Sequence, residues 1–174
     1  MNTSKSDLVN ILKTAIGVEE KGYAHYTRFA EQTKDENGKK MFHQLAKDEV
    51  EHRAILEKQL ENLKEGGDWS SIHIPKSEIE RVVPKIRDKQ MRTKGESGVG
   101  EIDALNTALD LERQAAQFFR DRAEEVDEPN AKEMFIRLAE WEDSHLELIM
   151  AELDSIKNSG LWFGIADFKM DGTY

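Results

Sequence analysis

Residues 46–52 read AKDEVEH, and residues 139–145 read AEWEDSH. In each stretch a glutamate and the histidine three residues on, Glu49 with His52 and Glu142 with His145, fall on the apolar stripe of a helical pattern. A hydrophobic core rejects an ionisable side chain unless that side chain is paired or bound to a metal. The same pair placed twice on an inward face therefore bears on both the fold and the chemistry.

Working outward, four segments carry helical periodicity. Residues 6–33 align Leu8, Leu12, Ala15, Ile16, Glu19, Tyr23, Tyr26 and Ala30. Residues 37–64 align Phe42, Leu45, Ala46, Glu49, His52, Leu56, Leu60 and Leu63. Residues 101–126 carry Leu105, Ala108, Leu109, Glu112, Ala116, Phe119 and Ala123, and residues 130–157 carry Phe135, Leu138, Ala139, Glu142, His145, Ile149, Leu153 and Ile156. Spacings of three and four dominate and no run alternates like a strand, so the class is all-α with four helices. Ser6 and Pro129 suit helix starts.

The first two segments recur in the last two. Ala15, Glu19, Ala30 and Asn37 return as Ala108, Glu112, Ala123 and Asn130; Met41, Phe42, Glu49, His52 and Leu60 return as Met134, Phe135, Glu142, His145 and Leu153, always 93 residues on. The chain thus reads as one domain over 1–174: a helical hairpin over 6–65, a crossover over 66–100, a second hairpin over 101–157 and a tail over 158–174. The crossover is polar, carries Pro75 and Pro84, and is basic in its second half. About 35 residues is enough to run back along a helix of about 40 Å, so one long connection joins the hairpins, with room for a short helix. The aromatic tail is expected to fold back over apolar surface.

Composition narrows the partners. A formal net charge of −10, from 35 acidic and 25 basic side chains, disfavours nucleic acid and anionic membrane surfaces. With no cysteine, thiolate metal sites and cysteine nucleophiles are excluded. The first residues lack the apolar run of a signal peptide and no stretch suits a membrane span, so a cytoplasmic location is expected.

Helix geometry then places the glutamates. Glu19 lies 16 residues before Asp35 at the first turn and Glu49 lies 14 after it, about 24 and 21 Å along their helices. They sit level, as do Glu112 and Glu142 about Glu128, with each histidine one turn beyond its glutamate. Four carboxylates and two imidazoles meet in mid-core. Desolvation costs several kcal/mol per ion, and like charges repel. Two divalent cations would cancel the four carboxylates, and carboxylates with imidazoles suit iron or manganese.

The stretches AIGVEEKGYAHYTRFAE, LAKDEVEHRAIL, ALDLERQAAQFF and LAEWEDSHLELI resemble the diiron domain of rubrerythrins, in the ferritin-like superfamily of four-helix bundles. The resemblance implies Glu19, Glu49, His52, Glu112, Glu142 and His145 as ligands of two iron ions, with manganese or another divalent metal as the alternative and Glu49 and Glu142 as bridges. It implies a catalytic-site tyrosine in Tyr26, whose counterpart is Phe119. It further implies an oxidoreductase of oxidative-stress defence that reduces hydrogen peroxide or dioxygen, with electrons from a separate donor such as a rubredoxin, and a homodimer. Rubrerythrins commonly carry a C-terminal rubredoxin domain with four cysteines, which this chain lacks. They also commonly have a further glutamate where this chain has Ala115, and the remaining six-ligand set is closer to a bacterioferritin-type centre. A ferroxidase or iron-storage protein is therefore the alternative, and a metal-stabilised structural bundle the second. Gly22 and Ala115, one turn after ligand glutamates, would leave room for an oxidant. His25, His43 and His73 have no histidine 93 residues on and read as surface groups or as supports behind the ligands, while Trp69, Trp141, Trp162 and Phe163 read as packing.

Overall fold

The computed structural model describes residues 3–71, 74, 76, 77, 79, 80 and 99–163. Four long helices stand among the described residues: α1 (Lys5–Gln32), α2 (Glu36–Lys64), α3 (Val99–Glu125) and α4 (Pro129–Ser159). No helix among the described residues is long and apolar enough to cross a membrane.

The helix starts follow local chemistry. The N-cap of α1 is Ser4 rather than Ser6: its hydroxyl accepts the Asp7 amide at 3.2 Å, while the Asp7 carboxylate accepts the Ser4 amide at 3.1 Å. This reciprocal box satisfies two otherwise orphaned donors, and Ser6 has no acidic partner three residues on to form one. Asp35 caps α2 through the amides of Asn37 and Gly38, and Glu128, 93 residues on, caps α4 at Ala131 with Pro129 in the first turn. At the far end of α4, Gly160 takes the left-handed conformation (φ 71°) that stops the helix.

Contacts at the helix ends fix the topology. Thr3, before α1, bonds Asp127 and Glu125 at the end of α3, so α1 and α3 are antiparallel. The Glu101 carboxylate, at the start of α3, accepts the Lys34 amide at the α1–α2 turn. The end of α2 lies at the opposite pole, where Lys5 Nζ donates to the Gly67 carbonyl at 2.8 Å. The end of α2 and the start of α3 therefore lie at opposite poles, as a long crossover requires. Ile74 packs in the core at the α2 end and Ile79 already in the core at the other, and Arg137 on α4 pairs with Glu80. The expected crossover helix and the basic run fall mainly on 81–98, outside the described residues.

Two apolar layers fill the bundle. One, near the α1–α2 turn, holds Tyr26, Phe29, Phe42, Leu45, Leu105 and Leu153; the other, near the α3–α4 turn, holds Leu12, Leu56, Leu60, Phe119, Phe135 and Leu138. Tyr23 departs from the expected stripe and is 41% exposed. Four residues past Glu19, at ~3.6 residues per turn, the helix has rotated about 40° off the inward direction, whereas Tyr26 at seven residues is within about 20°.

The repeat also continues beyond the helices. Trp69 and Trp162 are both buried and 93 residues apart. Trp69 rests on Phe135 at 6.0 Å and Trp162 on Phe42 at 5.8 Å, so each hairpin's trailing tryptophan covers the other hairpin's phenylalanine. Their supports match too: Gln59 grips Ser70, and its counterpart Glu152 accepts the Phe163 amide at 3.1 Å. The expected fold-back of the tail is seen through Phe163; residues 164–174 lie outside the described part.

Candidate metal centre

Between the two apolar layers lies a band of fully buried charge. Glu19, Glu49, Glu112 and Glu142 are each at most 4% exposed, and His52 and His145 are 0% exposed. One residue of this set comes from α1, one from α3, and a Glu-x-x-His pair from each of α2 and α4. The structure thus brings together all six positions singled out in the sequence.

The six form two overlapping groups. His52 Nδ1 lies 3.3 Å from Glu19 Oε2, 3.5 Å from Glu49 Oε2 and 3.1 Å from Glu142 Oε1. His145 Nδ1 lies 3.4 Å from Glu112 Oε1, 3.2 Å from Glu142 Oε2 and 3.9 Å from Glu49 Oε1. In each group the donor atoms lie within 4.8 Å of one another, and Glu49 and Glu142 belong to both. Each shared carboxylate offers one oxygen to each side, which is what a pair of bridged cations requires.

The electrostatics show how much strain this set carries with protons alone. Burial, then the Glu49 charge, pushes the Glu19 carboxyl well above its usual range. Burial likewise raises Glu49, with the Glu142 charge adding to it. Burial pushes Glu112 up to about 8 against the pull of His145. Burial also opposes charge on Glu142, but His52 and His145 on either side win, and its carboxyl falls well below the usual range. For both imidazoles burial opposes the charged form and is outweighed, by Glu142 and Glu19 at His52 and by Glu112 at His145, so both are raised.

The donor chemistry fits a divalent metal pair. Among the described residues, Glu19 Oε1, both Glu142 oxygens and His145 Nδ1 are buried without a hydrogen-bond partner, although neighbouring donors approach to near 3 Å. Buried polar atoms are rarely left so. Carboxylate oxygens and imidazole nitrogens gathered within 4.8 Å of one another are what oxygen- and nitrogen-preferring metals take up.

Around the six stand Tyr26 and two groups that the sequence did not place at the centre. Tyr26 donates its hydroxyl to Glu112 Oε1, and burial pushes its phenol well above the usual range. Asp48, buried and unremarked in the sequence, faces His145 Nε2 at 3.2 Å through Oδ2 and accepts from Gln44 at 2.8 Å through Oδ1. Trp141 is buried as expected of packing, but it packs on His52, ring centroids 4.4 Å apart. The signal for both was the repeat itself: Asp48 and Trp141 are 93 residues apart, each just before a shared glutamate. His43 is exposed, and His25 pairs with Arg28 at the surface, as surface histidines do; His73 lies outside the described residues.

A cleft of 280 Å³ between α1 and α3 leads to the centre. Glu19, Gly22, Tyr26, Glu49, Glu112, Ala115 and Phe118 line it. A β-carbon on Gly22 would stand 3.1 Å from Glu49 Cδ, so glycine there lets the shared carboxylate lie against the α1 backbone.

Comparison with known proteins agrees with this architecture. The rubrerythrin family model matches residues 10–153. A two-domain protein from Anabaena variabilis containing DJ-1/ThiJ/PfpI-like and ferritin-like domains superposes with a TM-score of 0.68 at 17% identity, covering 92% of this chain and 40% of that one. The chain therefore spans less than half of that relative's length. A hypothetical protein from Pyrococcus furiosus superposes with a TM-score of 0.64 at 27% identity, covering 87% of this chain and 90% of that one. No curated protein is significantly similar in sequence.

Proposed function

This chain belongs to the rubrerythrin family, and on that premise we propose that it is a non-haem diiron oxidoreductase reducing hydrogen peroxide or dioxygen. Glu19, Glu49, His52 and Glu142 would hold one iron, and Glu49, Glu112, Glu142 and His145 the other. The single observation that carries this reading is the pair of shared carboxylates, Glu49 and Glu142, in two buried donor groups. Two reduced irons held there would supply two electrons and Lewis-acid character for cleavage of an O–O bond.

The chain's own residues shape what reaches the centre. The cleft lets a molecule the size of peroxide approach Glu49 from the α1–α3 side, past Gly22 and Ala115, neither of which intrudes. Tyr26 holds Glu112 by its hydroxyl and so fixes one wall of that approach. Phe119, the counterpart of Tyr26, offers no such donor, so only the Glu112 side is held in this way. Electrons would come from a separate protein, and the working assembly would be a homodimer.

Ala115 favours a second reading, Fe(II) oxidation with iron storage, because it leaves the cleft without the further glutamate that rubrerythrins commonly carry there. Stopped-flow oxidation of anaerobically reduced, iron-loaded protein distinguishes the readings. Two-electron oxidation by peroxide or dioxygen, with no more than two irons processed per chain, is the expected result. Turnover of many irons into a mineral core would favour the storage reading, and iron that stays ferrous with both oxidants would leave a purely structural metal.

A further inference from the structure

The repeat that duplicates the six donors does not duplicate what stands behind the histidines. His145 presents Nδ1 to the glutamates and Nε2 to Asp48 Oδ2 at 3.2 Å, and Asp48 is itself buried and steadied by Gln44. His52 presents Nδ1 to its glutamates in the same way, but its Nε2 is buried with no hydrogen-bond partner among the described residues, and the ring lies against Trp141 with a 39° tilt. Trp141 occupies, on α4, the place that Asp48 occupies on α2.

This difference bears directly on metal affinity. A carboxylate accepting the outer N–H of a ligating imidazole fixes the tautomer, holds the ring in line and makes the inner nitrogen a better donor; loss of such a partner costs about 10–100-fold in affinity. At His145 the carboxylate is present. At His52 an aromatic face excludes water and accepts no conventional hydrogen bond, so nothing selects the tautomer whose Nδ1 is free to ligate.

Resting on the diiron reading above, we propose that the two subsites are inequivalent. The group Glu49, Glu112, Glu142 and His145 is the tight subsite, set by Asp48, and the group Glu19, Glu49, Glu142 and His52 is the weak, exchangeable one. Asp48 is a positioning residue: it acts through His145 and touches no metal.

Direct titration of the wild type with metal would mix this effect with repulsion between neighbouring cations, so single-subsite proteins give the cleaner test. Glu19→Ala removes a donor unique to the weak subsite, and Glu112→Ala one unique to the tight subsite. Apo proteins of both kinds, with helix content verified by circular dichroism, are titrated with Co(II) and followed by visible absorption and calorimetry. Glu19→Ala is expected to retain one Co(II) bound at least tenfold more tightly than Glu112→Ala. Adding Asp48→Asn, which keeps the shape but not the charge, should weaken binding about tenfold in the Glu19→Ala background and leave the Glu112→Ala background unchanged.

Equal affinities in the two single variants, with wild type still binding two Co(II), would overturn the inequivalence while leaving the metal centre intact. An equal effect of Asp48→Asn in both backgrounds would reduce Asp48 to a general structural role and overturn the assignment. Failure of wild type to bind Co(II), Mn(II) or Fe(II) would overturn the metal reading and this inference together.

Discussion

Glu152 offers a sharp test of the packing account away from the metal ligands. It is fully buried near the end of α4, and one of its oxygens accepts the Phe163 amide while Oε1 has no partner among the described residues. Burial, only partly offset by that amide, pushes its carboxyl well above the usual range, and the nearby charge of Asp35 adds to the rise. Its counterpart Gln59 does the same work without a charge, donating to the Ser70 carbonyl and accepting from Ser70. Glu152→Gln should let the side chain grip residue 163 as Gln59 grips residue 70. An unsatisfied buried polar atom costs about 1–3 kcal/mol, so a stabilisation of about 1–2 kcal/mol at pH 8 is expected. For a chain of this size that corresponds to about 2–8 °C in Tm.

The sign of the pH dependence follows from linkage. Because the native carboxyl holds its proton to higher pH than the unfolded one, the native state binds more protons above about pH 4.5, and stability falls as pH rises through that region. The advantage of Glu152→Gln should therefore be small at pH 4.5 and grow towards pH 8. Urea denaturation of the apo protein at several pH values measures it. A variant less stable than wild type at pH 8, or an advantage independent of pH, would refute the reasoning.

Other outcomes follow from single contacts. Gly22→Ala gains about 1 kcal/mol of helix propensity but crowds Glu49 at 3.1 Å; apo Tm should hold or rise while the extra Tm conferred by metal shrinks, as paired apo and metal-loaded melts would show. Tyr26→Phe leaves the Glu112 carboxylate without its hydroxyl donor and should cost about 1–3 kcal/mol in the apo protein by denaturant titration. Ala115→Glu places a carboxylate in the cleft one turn after Glu112. Stopped-flow comparison of the two oxidants should show preference for peroxide rising about tenfold, or ~1.4 kcal/mol of barrier difference.

Much of this was legible because two periodicities reinforce each other. The helical period put Glu49, His52, Glu142 and His145 on inward faces, and the 93-residue repeat brought Glu19 and Glu112 level with them. The long crossover followed from its length alone. What escaped were contacts made across the repeat rather than within it. Asp48 sits between Lys47 and Glu49 and reads as an ordinary acidic position until α4 brings His145 against it. Trp141 reads as core because its fault, a face offered to His52 where the other half offers a carboxylate, is visible only when the halves are compared in three dimensions. The tryptophans Trp69 and Trp162 lie beyond the helical periodicity; their 93-residue spacing is legible in the sequence, but that each covers the other hairpin's phenylalanine is seen in their contacts. Tyr23 was misplaced because a stripe drawn by threes and fours is wider than the buried face.

The central claim is that Glu49 and Glu142 are shared by two metals. Iron content per chain, measured after anaerobic Fe(II) loading and desalting and accompanied by Mössbauer spectroscopy of the oxidised protein, tests it most directly. Two irons per chain with a magnetically coupled spectrum are expected in wild type and in Glu31→Ala, whose exposed side chain lies outside the centre. In Glu49→Ala and in Glu142→Ala, coupling should be lost and at most one iron retained. Two coupled irons persisting in Glu49→Ala, or one uncoupled iron in wild type, would contradict the account.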